Sequence, residues 1–250
     1  MSKFQQINVL RGELEKLSPG KSGLVSVFGK PMMDRAFFPG GNGLILGEDS
    51  RKFPLHGTLI LGSNFGADEK FCDPDGKLLC LDETQKGSTW NGLRKRFSEQ
   101  QLEDSFFTNA WPFLHRGVSN NPTPQEKKKW LRDEVLRASC AAFFTLTVRE
   151  MQPSLIVALG SAPAAFLSFV FPETLLKWAG NKWSAIDALP SAVVAVRSLR
   201  IACVAITHPS MNNAHCRVEA FRGQDKEVEL LRLALRSAEQ IKTAREKLVH

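Results

Sequence analysis

The chain has 250 residues, 43% of them hydrophobic, and 33 Lys and Arg against 26 Asp and Glu give a formal net charge of +7. This length and apolar content favour one large α/β domain over two small ones, and the basic excess suits a polyanionic partner. Five cysteines without a CxxC pair argue against a disulfide framework and indicate reduced thiols in the cytoplasm. The charged start of the chain predicts no secretory signal, and we expect no membrane span.

In chain order, residues 1–45 are predicted to form an N-terminal extension packed on a single domain that spans residues 1–250. Helices are predicted at 123–151 and at about 225–248, where apolar residues recur at helical spacing. Four nearly continuous apolar runs are typical of strands covered on both faces, at 58–62, 105–109, 154–160 and 200–207. The alternation of strands and helices predicts an α/β fold, a three-layer α/β/α sandwich around a four-stranded, mainly parallel sheet.

Small or polar residues follow every predicted strand. The four segments that leave the strands read "GSNFGADE" (62–69), "TNAWP" (108–112), "GSAPA" (160–164) and "THPSMNN" (207–213). Parallel strands end at a common edge of their sheet, and ligands of such folds bind outside that edge. The sequence therefore predicts one binding site built from these four segments.

The same segments carry a family resemblance. In order, "LILGSNFG", "FFTNAWPFL", "REMQPSLIVALGSAPAAFL" and "THPSMNN" resemble the motifs of the uracil-DNA glycosylase superfamily, over about residues 55–240 by element order but with few specific residues. The resemblance implies a DNA-binding monomer without a cofactor. It would rotate a pyrimidine nucleotide out of the helix and hydrolyse its N-glycosidic bond, which leaves an abasic site.

The resemblance assigns catalytic roles to two residues. Asn64 would hold the attacking water near the sugar C1′, as asparagine does in some branches of the superfamily, although an amide is a poor base. His208 would donate a hydrogen bond to the carbonyl oxygen of the departing base, which gains negative charge. The alternatives are an asparagine that forms a turn after its strand and a histidine bonded to the backbone at a strand end.

A second group of residues is predicted to bind the base. Asn109 presents a donor and an acceptor to a pyrimidine edge, or else it is a satisfied buried amide. Ser63 belongs to the same group, and either Phe65 or Phe71 stacks on the base unless both are core residues. Gly66 stands where the uracil-specific branch has a bulky aromatic residue. A roomier pocket follows, so the substrate is uracil or a bulkier 5-modified pyrimidine such as the hypermodified cytosine of phage DNA, with a defence role in the second case.

Contacts to the DNA strand are predicted after the third and fourth strands. The residues are Ser161, Ser210, Met211, Asn212, Asn213 and Arg217. Serines at helix starts offer hydroxyl and N–H groups to phosphates, and Met211 is a candidate apolar wedge for the minor groove. The alternative for this stretch is a polar helix start. Basic side chains that are either phosphate contacts or a solvated surface are Arg94, Lys95, Arg96, Lys127, Lys128 and Lys129.

Three further points bound the prediction. Cys140 occupies a helix position similar to that of an iron–sulfur ligand in the cluster-bearing branches, but no CxxC precedes it, so we predict no cluster and no metal. Residues 177–191, which include Trp178 and Trp183, are either a lid or a cover for the core. A catalytically weak or inactive DNA-binding relative is the alternative function. A phosphate-ester enzyme is disfavoured because no P-loop or nucleophile elbow is present.

Overall fold

The computed structural model describes residues 3–20, 22–26, 54–64, 88–116, 129–210 and 216–249. The chain divides into two compact units, residues 1–53, 62–85 and 107–150 in the first and residues 54–61, 86–106 and 151–250 in the second. The described helices are α1 (Lys3–Lys16), α2 (Ser88–Arg94), α3 (Glu99–Glu103), α4 (Glu134–Met151), α5 (Ser161–Val170), α6 (Pro172–Leu175), α7 (Trp183–Asp187) and α8 (Gln224–Val249). The described strands are β1 (Leu24–Val25), β2 (Thr58–Gly62), β3 (Ser105–Asn109), β4 (Leu114–His115), β5 (Leu155–Leu159), β6 (Ser191–Val196) and β7 (Leu199–Ile206).

The first unit joins the N-terminal helix to α4. Leu10 and Leu14 of α1 are buried, and Nε2 of Gln6 donates to the backbone oxygen of Glu150, 3.0 Å away. Strand β1 pairs antiparallel with β4. Helix α4 begins where Asp133 Oδ1 accepts the backbone N–H of Leu136 at 2.9 Å, as a capping carboxylate does. The described part of the N-terminal segment is therefore packed within this unit.

The main sheet has five strands in the order β3-β2-β5-β7-β6. Strands β2, β5 and β7 are parallel, with Thr58 opposite Leu155 and Leu155 opposite Ala202. Strand β6 pairs antiparallel with β7 at the edge. The carboxyl ends of β2, β5 and β7 consequently lie along one edge of the sheet.

Helices cover the sheet and account for its apolar strands. Every residue of β5 is buried, and both α5 and α8 contact β5 and β7. A strand covered on both faces needs apolar side chains at successive positions, which is the pattern of "LIVAL". At the carboxyl end of β5, Gly160 turns the chain into α5 with a φ of 103°, a conformation that favours glycine.

The long C-terminal helix α8 is fastened to the sheet near both of its ends. Near its start, Glu227 is 1% exposed and accepts the backbone N–H of Thr207, which follows β7, at 2.8 Å. Near its other end, the guanidinium of Arg245 donates to the backbone oxygens of Gln152 and Pro153, before β5, and of Arg200 in β7. Side chains of helix α8 therefore bond to the backbone at the amino ends of β5 and β7 and after the carboxyl end of β7.

The predicted fold class is confirmed: the protein is α/β, of the three-layer α/β/α type with a mostly parallel sheet. The predicted strand count of four is wrong, because residues 191–196 add a fifth, antiparallel strand. The prediction of a helix at 225–248 is confirmed by α8, whereas the helix predicted for 123–151 is interrupted at Asp133, between a helical turn at 129–132 and α4. Within the described ranges, no helix combines the length and apolarity needed to cross a membrane.

Candidate functional site

His208 stands two residues beyond β7, at the carboxyl edge of the sheet in the second unit. Its side chain is half-buried, and Nδ1 lies 2.7 Å from Oγ of Ser210. The backbone N–H of Ser210 donates to the same nitrogen, at 3.3 Å. Because a backbone N–H can only donate, Nδ1 is the acceptor in this arrangement, and Nε2 is the ring nitrogen that carries a proton. The remaining ring N–H is therefore a hydrogen-bond donor.

The turn after β5 lies beside His208. The N–H of Gly160 donates to the backbone oxygen of Ile206 at 2.7 Å, and a Cβ built on Gly160 would be 3.8 Å from Cβ of His208. Ser161 begins the ten-residue helix α5, and no side chain caps this helix. The structure thus brings Ser161 to the edge that carries His208, as predicted, while its contact with DNA stays a prediction.

Asn64 is held by a histidine that the sequence prediction did not include. Its Nδ2 lies 3.0 Å from Nδ1 of His115, which is 4% exposed. When the amide nitrogen donates, Nδ1 of His115 accepts and the ring proton is on Nε2. In this arrangement Oδ1 of Asn64 is the acceptor that a water can use. The contact with His115 thus fixes the position of the amide, and the water-holding role of Asn64 stays a prediction.

Backbone hydrogen bonds join the segments that follow β2 and β3. Ala110 N–H donates to the oxygen of Gly62 and Trp111 N–H to that of Ser63, both at 2.9 Å. Ser63 and Asn64 are consequently neighbours of Asn109 within the first unit, as the strand ends predicted. Asn109 is only 3% exposed, so the roles of base reader and of structural amide both stay open.

An aromatic cluster surrounds His115. Its ring centroid lies 6.5 Å from that of Trp130, and Trp130 meets Trp111 edge-on at 6.1 Å. Both tryptophans are buried. The sequence signal for His115 was weak, a single histidine soon after "TNAWP", but the chain has just five histidines. The histidine that bonds to Asn64 therefore packs beside a buried tryptophan, Trp130.

The prediction that Arg217 contacts DNA is wrong. Its side chain is fully buried, and its Nε and Nη2 donate to Oδ1 of Asp187, at 2.8 and 2.5 Å. Its Nη1 donates to Oε1 of Glu227 at 2.9 Å, and Trp183 lies over the guanidinium, 4.5 Å from its carbon. A guanidinium bound to two buried carboxylates cannot also reach a phosphate outside the protein.

Arg96 and the segment 177–191 also stabilise the interior of the second unit. Nη2 of Arg96 is 3.3 Å from Oε2 of Glu227, and the Arg96 side chain is 6% exposed, so it is not a surface contact for phosphate. In the segment 177–191, Trp178 is buried and its Nε1 donates to the oxygen of Leu189 at 2.8 Å. Of the two alternatives for this segment, Trp178 supports a cover for the core.

Several predicted site residues lie outside the described residues. They are Phe65, Gly66, Phe71, Met211, Asn212 and Asn213. Asn64 and Asn109 belong to the first unit and His208 to the second, so the prediction that these three act on one nucleotide stays a prediction.

The described cysteines are free thiols, and two of them are buried. Desolvation, with a smaller contribution from the charge of Asp133, raises the pKa of Cys140 to about 12. In the part of the chain that the structure describes, no group of three or more His, Cys, Asp or Glu side chains is arranged to hold a metal ion. The Cys140 thiol is therefore a buried, protonated core side chain.

No protein-family model and no curated protein matches the chain. The likeness to the uracil-DNA glycosylase superfamily accordingly depends on the four motifs. The positions of the Asn64 and His208 side chains do not depend on that likeness, because they are defined by hydrogen bonds within the chain.

Proposed function

We propose that this chain is a monofunctional DNA glycosylase. It would rotate a pyrimidine nucleotide out of the DNA, hydrolyse the N-glycosidic bond and leave an abasic site. The observation that carries the proposal is the pair of bonds from Ser210 to Nδ1 of His208, which hold the imidazole directly after a parallel strand and make Nε2 its donor nitrogen. A donor fixed in advance is what a departing nucleobase requires.

His208 acts on the leaving group. When the bond between C1′ and the base nitrogen breaks, its electron pair stays with the base, and negative charge collects on the ring carbonyl oxygen. The Nε2–H of His208 donates a hydrogen bond to that oxygen. This hydrogen bond stabilises the charge without transfer of the proton, and it is strongest after the charge has developed.

Asn64 acts on the water. Its Oδ1 accepts a hydrogen bond from a water that attacks C1′, and the proton of that water passes to solvent. The contact of its Nδ2 with His115 makes Oδ1 the acceptor end of the amide when Nδ2 donates. Since an amide cannot take the proton, most of the acceleration comes from leaving-group stabilisation and not from general base catalysis.

The proposed substrate is uracil or a bulkier 5-modified pyrimidine such as the hypermodified cytosine of phage DNA, where excision would be an antiviral defence. DNA is the partner, the protein acts as a monomer, and the reaction needs no cofactor. We place the protein in the cytoplasm, which suits its free cysteines. The formal charge of +7 supports binding to the DNA backbone.

The test incubates the protein with oligonucleotides that contain uracil, hydroxymethylcytosine or glucosylated hydroxymethylcytosine, and then cleaves abasic sites with alkali. We expect strand breaks at one of these bases with the wild-type protein. In incubations just long enough for the wild-type protein, the breaks should disappear with Asn64→Ala and His208→Ala, whose slow residual rates need longer incubation. They should persist with Ser237→Ala, a control at a hydroxyl of α8 that bonds only to the backbone of its own helix in the described structure. The product base is identified by mass spectrometry.

The same assay distinguishes a glycosylase from the alternative function. If the chain is a catalytically inactive DNA-binding relative, it will bind the oligonucleotides without producing breaks. Under both hypotheses, DNA binding should weaken steeply as salt rises, because phosphate contacts release counterions. A salt-independent affinity would exclude DNA as the partner.

A further inference from the structure

The residue before His208 is held by one buried carboxylate. Oε1 of Glu227 accepts the backbone N–H of Thr207 at 2.8 Å, and Oε2 accepts its hydroxyl at 2.7 Å. Thr207 is fully buried and Glu227 is 1% exposed. Two hydrogen bonds to a single planar carboxylate fix both the main chain and the side chain of Thr207. The path of the backbone into His208 is therefore set by Glu227.

The far end of the same segment is held by the same group of charges. Arg217 binds Glu227 and Asp187, and the backbone N–H of Val218 donates to Oδ2 of Asp187 at 2.9 Å. Thr207, just before His208, and Val218, just after Arg217, are thus both bonded to one ion cluster, consisting of Arg96, Asp187, Arg217 and Glu227. We refer to these four residues as the stem cluster.

A third contact supports the segment through α2. Nη1 of Arg96 donates to the oxygen of Gly92 at 3.0 Å, while its Nη2 approaches Glu227. A Cβ built on Gly92 would be 2.2 Å from the backbone oxygen of Pro209, so glycine is needed for the two backbones to meet. Arg96 therefore connects the residue that touches Pro209 to the carboxylate that binds Thr207.

The stem cluster is balanced and almost closed to water. It contains two guanidinium groups and two carboxylates, and their side chains are at most 6% exposed. In a low-dielectric interior such a group tolerates few alternative arrangements, because each partner that moves leaves a buried charge unpaired. The cluster is placed to transmit this constraint to the residue next to the proposed catalytic histidine.

We propose that Glu227 is a positioning residue for His208, which acts through Thr207 to hold the imidazole in the orientation in which Nδ1 bonds to Ser210. This inference rests on the proposed glycosylase function. It assigns to a buried residue of α8, 19 positions after His208, a part in the reaction and not only in stability. Catalysis depends strongly on such placement, since small displacements of a reacting group reduce the rate.

The experiment combines kinetics with spectroscopy on the full chain. Glu227→Gln removes the charge but keeps the shape, and Thr207→Val removes only the hydroxyl and leaves the stem cluster intact. Glu219→Gln is the matched control, a glutamate in an exposed pair that lies 84% open to solvent. Each variant is measured below its unfolding midpoint, alone and combined with His208→Ala, on the oligonucleotide that the wild-type protein cleaves. Nitrogen-15 spectra of the imidazoles report the tautomer, with the His208 signal identified by its loss in His208→Ala.

We expect Glu227→Gln to lower kcat by about 10- to 100-fold, in the range of a misplaced catalytic group. KM should change by less than about 3-fold, because ground-state binding of DNA is not affected. In the His208→Ala background neither Glu227→Gln nor Thr207→Val should cause a further loss. The His208 signal should change from a single Nε2–H tautomer in the wild type to a mixture in Glu227→Gln, and Glu219→Gln should match the wild type throughout.

Losses that multiply with that of His208→Ala, or an unchanged tautomer in Glu227→Gln, would overturn the positioning role and leave the proposed function standing. If the wild-type protein releases no base from any oligonucleotide, the proposed function fails instead. The tautomer measurement needs no activity, so it still decides whether Glu227 fixes the His208 ring.

Discussion

Replacing Arg217 by methionine should destabilise the protein far more than removal of a surface arginine. The substitution removes four hydrogen bonds, to Asp187, Ala205 and Glu227, and leaves two carboxylates buried without their main counter-charge. Breaking one side of a buried ion pair costs about 3–5 kcal/mol. For a chain of this length that corresponds to a decrease in Tm of roughly 6–20 °C.

Urea unfolding followed by tryptophan fluorescence measures this loss, because Trp183 lies on the guanidinium of Arg217. Arg222→Met is the control, since Arg222 pairs with Glu219 at the surface and should contribute less than about 1 kcal/mol. Arg217→Lys should fall between the two, because it keeps the charge but loses the planar fork. Equal unfolding midpoints for Arg217→Met and Arg222→Met would refute the view that the arginine anchors a buried ion cluster.

Three further predictions concern the site and the core. Ser210→Ala should lower the glycosylase rate by about 2- to 10-fold, the value of one hydrogen bond, because the backbone N–H still donates to Nδ1 of His208. A single-turnover assay measures this rate. A loss as large as that of His208→Ala would contradict the assigned tautomer. His115→Phe should keep an aromatic ring at this position but remove the hydrogen bond to the Asn64 amide, so the glycosylase rate should decrease by about 10-fold with little change in DNA affinity. An unchanged glycosylase rate would mean that the amide needs no partner. Burial raises the pKa of Cys140 to about 12, so iodoacetamide at pH 8 should label exposed Cys216 in the native protein and reach Cys140 only after unfolding, as peptide mass spectrometry reveals. Equal labelling of both thiols in the folded protein would show that the region around Cys140 opens.

The fold was largely predictable from local patterns, and β6 shows where such patterns fail. Strands β2, β3, β5 and β7 are continuous apolar runs, which few other elements produce. Strand β6 is an edge strand with an alternately exposed face, and its tight connection to β7 passes through Arg197, a non-glycine residue with a φ of 54°. The connection lacks the Asn-Gly or Gly-Gly pair that identifies a hairpin, so this turn could not be predicted from local residue types.

Prediction of the site depended on whether a residue's role follows from its place along the chain. Strand ends located Asn64 and His208 because the carboxyl ends of parallel strands share an edge. The role of Arg217 could not be predicted from its place in the chain, since the carboxylates that it binds, Asp187 and Glu227, are 30 residues before it and 10 residues after it. His115 was missed for the same reason, because its partner Asn64 is 51 residues away.

Helix α8 forms hydrogen bonds to backbone atoms at two distant places in the second unit. Glu227 and Arg245 are 18 residues apart in one helix, about 27 Å at 1.5 Å per residue. Glu227 bonds to Thr207 after the carboxyl end of β7, and Arg245 bonds to Arg200 near the start of β7 and to Gln152 and Pro153 before β5. A deletion that starts before Arg245 would strip three carbonyl oxygens of their donor at the end opposite to His208. Damage at that remote end would then loosen the registration of the strands that carry the histidine, so activity and resistance to proteolysis should decline together along a series of C-terminal truncations.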